Sequence, residues 1–300
     1  MFLAAPAHDL DHRGRSNVLE INEETDIAKE FPNEKGPLEN HHARLALETL
    51  DNTAILEHLS EGSRRIVRAC VKNAILATDM GRHGAIMKGF SEAIAALEDE
   101  EGSLRAADFF IPGENGWLLL GMLLKSCDIS NPARPIEIAD KWNALVYDEF
   151  YAEGDVDLER GRPVNPLHNR EKNVIPKSTV GFIGFVVAPI FTLLQRFTIA
   201  AASIHANSAK PIEASPQNMA KMRRAKELKA TRNKYGDALG GGARGLQIFV
   251  DALSENKAVH AMRGEALDTG PQSPTGNRQS PLGSLKDAGV MVKSQIKRQA

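Results

Sequence analysis

Apolar residues recur at spacings of three and four through most of the chain, and no convincing run alternates with period two. The pattern predicts helices over residues 38–59, 63–79, 83–98, 115–127, 135–152 and 177–203, which makes the fold class all-α. Ser63 stands before Arg64-Arg65-Ile66-Val67 as an N-cap, and Asn115 does the same before Trp117-Leu118-Leu119-Leu120. Pro112-Gly113 and Gly161-Arg162-Pro163 mark connections. Pro132 and Pro135 place a break after Asn131 and let Pro135 open the next helix. The apolar segment from Val180 to Leu194, bounded by Lys177 and Arg196, covers about 15 residues, short of the roughly 20 that cross a bilayer. It is read as a buried helix rather than a transmembrane segment. Met1 to Ala7 resemble the inside of a core helix and lack the basic leader and the length of a signal peptide.

The character changes beyond residue 205. Lys221, Arg223, Arg224, Lys226, Lys229, Arg232 and Lys234 make a basic helical stretch, read as a solvated face, with an acidic-lipid or partner contact as the lesser reading. Glycines at 240–242 interrupt it. Gly270-Pro271 and Ser280-Pro281 lie in a stretch poor in aromatic and β-branched residues, where disorder is expected. The expected organisation is therefore one domain over 1–205, a helical extension over 206–258 and a disordered tail over 259–300. A net charge of -2 with 25% charged residues is ordinary for a soluble globular protein and gives no sign of nucleic acid as a partner. The two cysteines, Cys70 and Cys127, lie in apolar patterns and read as reduced, buried thiols, which suits the cytoplasm.

Chemistry concentrates near the start, in His8-Asp9-Leu10-Asp11-His12. On a helix, His8 and His12 would share a face, with Asp9 about 100° away and able to reach a second ion. Imidazole with carboxylate favours zinc, manganese or iron, and a carboxylate with waters suits magnesium. The bland alternative is a polar helix start with surface histidines. Three further clusters share this chemistry: Leu38-Glu39-Asn40-His41-His42, Ala77-Thr78-Asp79-Met80 and Ser126-Cys127-Asp128-Ile129-Ser130-Asn131-Pro132. Asp128 ends so hydrophobic a helix that it must be paired, bound to metal or used as a cap. His41 and His42 read as satisfied core or supporting histidines, and Thr78 and Asp79 as helix-end hydrogen bonders.

These clusters, taken with Leu76-Ala77, Glu149-Phe150, Gly154-Asp155, and Pro176-Lys177-Ser178 before Val180-Gly181-Phe182-Ile183, resemble in order and spacing the catalytic domain of class I 3′,5′-cyclic-nucleotide phosphodiesterases. The likeness covers roughly residues 3 to 200. It implies a compact all-α domain of the HD superfamily that hydrolyses cyclic nucleotides to 5′-monophosphates in signal transduction. Two divalent ions are implied: zinc held by His8, Asp9 and Asp128, and magnesium or manganese whose waters are held by His12, Glu39 and Thr78. Asp128 and His12 thereby acquire catalytic duty, Asp128 by orienting the attacking water. Asn131 falls beside the base pocket, and Val146 and Phe182 fall at the apolar clamp on the purine, although plain core packing fits both equally.

The chain departs from the family pattern twice. The family places a His-Asn-x-x-His-Ala segment before the His-Asp doublet, supplying the general acid and a fourth zinc ligand, and the expectation is that this chain is truncated at its N-terminus and impaired in hydrolysis. At Thr179 the family carries a glutamine that reads the purine edge. Threonine is too short for that paired contact, so weak discrimination between adenine and guanine nucleotides is expected. The alternative function is a non-catalytic domain that keeps metal and nucleotide binding. Oligomeric state is left open.

Overall fold

The computed structural model describes residues 1–98, 109–207 and 246–267, and among these there is no strand. Two short helices open the chain, α1 (Asn17–Asn22) and α2 (Asp26–Glu30). They are followed by α3 (Pro37–Asp51), α4 (Glu61–Leu76), α5 (His83–Ala95) and α6 (Glu114–Asp128). After these come α7 (Ile136–Glu159), α8 (Ile175–Phe182) and α9 (Ala188–Asn207), with residues 246–267 forming α10.

The caps differ from expectation. Ser60, not Ser63, caps α4 by accepting from the Ser63 N–H, and α6 starts at Glu114 after Gly113, ahead of Asn115. Pro135 is the N-cap of α7 rather than its first residue. The basic stretch from Lys221 to Lys234 lies outside the described residues. α10 runs on through residues expected to open the disordered tail, burying His260 and Arg263, so that expectation fails for 259–267; the remainder of the tail lies outside the described residues.

The chain divides into two compact units, Met1–Asn131 with Val187–Val250, and Pro132–Val186 with Asp251–Ala300. In the first unit α6 is apolar on two sides and serves two cores. One side contributes Leu124 to Ala43, Ala46 and Leu50 of α3 and Val71, Ala74 and Ile75 of α4. The other contributes Leu119 and Met122 to Phe90 and Ile94 of α5 and Ile190, Leu194 and Phe197 of α9. A helix held on both flanks is a rigid mount for its last residue, Asp128. The opening apolar run is only partly enclosed: Ala4 is buried while Phe2 is 96% exposed.

The apolar run near 180 is longer than its composition suggested. Helix continues from Ile175 to Ser203, long and apolar enough to cross a membrane by length and composition. Buried Ile190, Phe191, Leu194 and Phe197 make its later half a core element of the first unit. Pro189 has no N–H to give the Phe185 carbonyl, and its ring would press on that oxygen. The helix widens to a π-turn over Ile183–Val187 before resuming.

In the second unit α10 is stitched to the residues that follow Asn131. The Asn256 amide donates to the carbonyls of Pro132 (2.6 Å) and Arg134 (2.8 Å), and Arg263 makes a two-pronged pair with Asp140 of α7 at 2.7 and 3.1 Å. His260 is buried beside that pair, and burial together with the Arg263 charge pushes its pKa down to about 4.

Candidate metal centre

His8 to His12 do not form the helix on which His8 and His12 would share a face. A single 3₁₀ turn, Ala5–Ala7, ends just before His8, and Asp11 takes φ 61°, which breaks helical geometry. Asp tolerates the left-handed region at a cost on the order of 1 kcal/mol, and partners must hold it there. His41 and His42 of α3 supply them. His41 Nε2–H donates to the Asp11 carboxylate at 2.9 Å while Arg44 donates to its Nδ1, and His42 Nδ1–H donates to the Leu10 carbonyl at 2.6 Å. Both rings thus shape the loop from behind.

The shaped loop turns His8 towards α6. Its Nδ1–H donates to the Ala5 carbonyl at 2.7 Å, which leaves the Nε2 lone pair facing Asp9 Oδ2 and Asp128 Oδ1, each at 3.2 Å. A lone pair aimed at two carboxylates is stable only with a cation between them. A proton serves in its absence: hydrogen bonds to Asp128 and Asp9 push the His8 pKa up to about 10, and the same contact holds Asp9 below the usual carboxylate range. One ligand atom from each of His8, Asp9 and Asp128 lies within 4.8 Å of the others, and this donor set fits a divalent ion with coordination to spare.

The other residues expected near the ions lie on neighbouring elements. Glu39 is largely buried at the start of α3, its Oε2 accepting from Asn17 at 2.9 Å, and burial with the nearby Asp79 charge raises its pKa. A Cβ on Gly36 would stand 2.7 Å from Asp79 Oδ2 and 2.8 Å from Glu39 Oε2, so the two carboxylates close over bare backbone. Thr78 donates its hydroxyl to the Ile75 carbonyl at 2.7 Å, and Asp79 caps the next turn by accepting from the Gly81 N–H. His12 accepts from the Gly14 N–H through Nδ1, and its ring lies 5.8 Å from that of His42.

Sequence reasoning missed Lys125. It is fully buried in α6, and its ammonium donates to the carbonyls of Ala77, Thr78 and Asp79. The signal was available, because a lysine inside an apolar helix one turn before an acid needs a partner as much as the acid does. Cys70 and Cys127 are unpaired, but Cys70 is half-buried and Cys127 exposed, since Cys127 points away from both cores served by α6.

The residues expected around the base fall partly in the second unit, while Asn131 ends the first in a 3₁₀ turn, Asn131–Ala133. Val146 and Phe182 are 40% and 38% exposed, more open than core residues. Thr179 is only 4% exposed. Its hydroxyl donates to the Ile175 carbonyl at 2.8 Å and accepts from the Asn143 amide at 3.0 Å. The one O–H donor that the threonine could have offered a base is already in use, as is one of its two acceptor lone pairs.

Comparison with known proteins follows the same outline. The family model for 3′5′-cyclic nucleotide phosphodiesterase matches residues 1–208. The chain is 32% identical over 247 residues to the high affinity cGMP-specific 3′,5′-cyclic phosphodiesterase 9A of Mus musculus, covering 81% of this chain and 43% of that protein. It is 30% identical over 190 residues to isoform F of the 3′,5′-cyclic-AMP phosphodiesterase of Drosophila melanogaster, covering 63% and 28%. The chain spans less than half the length of these relatives. Among solved structures, the phosphodiesterase domain of the RhoPDE fusion protein from Salpingoeca rosetta superposes with a TM-score of 0.65 at 23% identity, over 89% of this chain and 69% of that one. LmjPDEB1 in complex with IBMX gives 0.61 at 24% identity, over 87% and 63%. These two likenesses carry the fold alone. With its all-α architecture and a family match that begins at the first residue and runs through α9, the chain belongs to the 3′,5′-cyclic nucleotide phosphodiesterase family.

Proposed function

We propose that the chain carries the metal-binding part of an enzyme that hydrolyses 3′,5′-cyclic nucleotides to 5′-monophosphates. The observation that supports this reading best is the His8 Nε2 turned onto the Asp9 and Asp128 carboxylates, an arrangement that calls for a proton or a metal cation. His8, Asp9 and Asp128 are assigned to the tighter ion, zinc by the chemistry of the set, and Glu39, Thr78 and His12 to the waters of a second, magnesium or manganese. When bound, the ions supply Lewis acidity that lowers the pKa of water and neutralises phosphoryl charge. The protein's own part is orientation: His41 and His42 fix the loop, and α6 brings Asp128 to the reacting water. Asn131, Val146, Phe182 and Thr179 are assigned to the base. The two unpaired cysteines suit a reducing, cytoplasmic setting.

The test is formation of 5′-AMP and 5′-GMP from the cyclic substrates by the metal-loaded chain, with a chelator and Asp128→Asn as controls. Slow turnover, reduced by the want of a general acid but dependent on both metal and Asp128, is expected. Metal-loaded protein that turns over neither substrate above the Asp128→Asn background would overturn the proposal. Nucleotide binding without turnover would favour the second reading, a metal- and nucleotide-binding domain that no longer catalyses, which the closed state of Thr179 supports.

A further inference from the structure

α6 presents one stripe of three residues, Gly121, Lys125 and Asp128, spaced four and then three apart and therefore on one face. Each member meets a different part of what surrounds the candidate metal centre. Gly121 lies so close to the end of α4 that a Cβ there would stand 2.6 Å from the Ala77 Cβ. One turn on, the Lys125 ammonium donates to the carbonyls of Ala77 (3.2 Å), Thr78 (2.9 Å) and Asp79 (3.1 Å). Asp128 then meets His8.

The chemistry of the lysine is unusual for its place. An ammonium has three donors, and here each has a carbonyl acceptor in the turn that follows α4. Helix C-termini leave carbonyls unpaired and carry partial negative charge, so a buried cation satisfies both needs. Among the described residues no carboxylate is within ion-pair distance of the ammonium: Lys125 holds backbone, and that backbone is the Thr78–Asp79 segment. Asp79 Oδ2 in turn closes over Gly36 beside Glu39 Oε2.

We infer that Lys125 is a positioning residue that sets the Thr78–Asp79 turn against the helix carrying Asp128, and so fixes the second ion's water shell relative to the tighter site. The inference rests on the two-ion reading above. Without the ammonium, the carbonyls of Ala77, Thr78 and Asp79 each lose a donor at once, and what still holds the turn is local: the Thr78 hydroxyl on the Ile75 carbonyl, the Asp79 cap and the Arg82 N–H on the Asp79 carbonyl, beside the Gly121 contact. His8 and Asp9 sit on a loop held by His41 and His42, which Lys125 does not touch. The two ion sites should respond differently.

The experiment is titration of the metal-free chain with Mn²⁺, following free ion by its electron paramagnetic resonance signal, for the wild type, Lys125→Met and Lys125→Gln. The wild type is expected to show a tighter and a weaker class. Lys125→Met should weaken the second class about 10-fold or more, the scale of lost support behind a ligand, and leave the tighter class within about twofold. Lys125→Gln, which keeps two of the three donors on a shorter side chain, should fall between. Equal affinities in a variant that melts cooperatively would overturn the inference. Parallel weakening of both classes, or failure of both variants to fold, would overturn it too and leave Lys125 a general stabiliser. A wild-type chain that binds no Mn²⁺ refutes the metal reading itself, a result distinguishable from the others without any variant.

Discussion

Two histidines mark the contrast between the two units. His8, in the first, is pressed by two carboxylates until it holds a proton up to about pH 10; His260, in the second, is buried beside Arg263 and refuses one until about pH 4. The loop region turns two carboxylates onto one imidazole, a donor set that a cation would satisfy. The α7–α10 region is closed upon itself, with Arg263 on Asp140, Asn256 on two carbonyls, and Thr179 on Asn143. Polar groups are left facing one another in the first region and have already found partners in the second, and the two should respond differently to ligand and to mutation.

The largest effect is expected from breaking the first region. Asp128→Asn keeps the shape of the side chain but removes one of the two charges facing His8. A zinc site of four ligands gathers about 10–16 kcal/mol, so one ligand is worth about 3 kcal/mol, or roughly 200-fold in affinity. Isothermal titration with Zn²⁺ checks this, and a variant that binds within tenfold of the wild type would show that the ion is held elsewhere. Thermal melts should agree: added metal raises the melting temperature of the wild type and leaves the variant unmoved.

The second region is expected to break with acid. The folded state holds His260 neutral down to about pH 4, whereas the unfolded chain takes up a proton below about 6.5. More protons on the unfolded chain means that stability falls with pH through that window, approaching about 3 kcal/mol below pH 4 and absent above pH 7. His260→Phe should remove this acid sensitivity from urea unfolding curves taken at pH 7 and pH 4.5. An undiminished pH slope would locate the sensitive group elsewhere. The result also sharpens the contrast, since the Asp128→Asn effect on zinc is expected at neutral pH, where His260 is silent.

What the sequence disclosed, and what it hid, follows the reach of each interaction. Helices such as α3, α4 and α6 were legible because their spacing repeats over fifteen residues or more. α1 and α2 were missed: with six and five residues they are too short to show a period, although their caps Ser16 and Thr25 were there to be read. The residue types at the metal centre were legible one by one. Their support was not, because it depends on pairs far apart in the chain: His41 with Asp11, His42 with the Leu10 carbonyl, Lys125 with the end of α4. The helical reading of the His8 loop failed for the same reason, since a left-handed Asp11 is a choice made by His41 and not by its neighbours in sequence.

The smallest effect concerns the base, and it tests the closed half of the contrast most directly. With the Thr179 donor spent on Ile175 and one lone pair on Asn143, the hydroxyl has no proton left to offer a base and little with which to tell adenine from guanine. Thr179→Ala should then change the ratio of affinities for cyclic AMP and cyclic GMP by less than about twofold, well under the worth of one hydrogen bond. Asn143→Ala removes the donor and exposes the hydroxyl's lone pair, and its effect on the ratio is capped at about fivefold, the equivalent of a single bond of about 1 kcal/mol. Competition against a fluorescent cyclic nucleotide reads both without requiring turnover. A tenfold swing on Thr179→Ala would mean that the hydroxyl leaves Asn143 to meet the ligand, and that the second region is as open to a partner as the first.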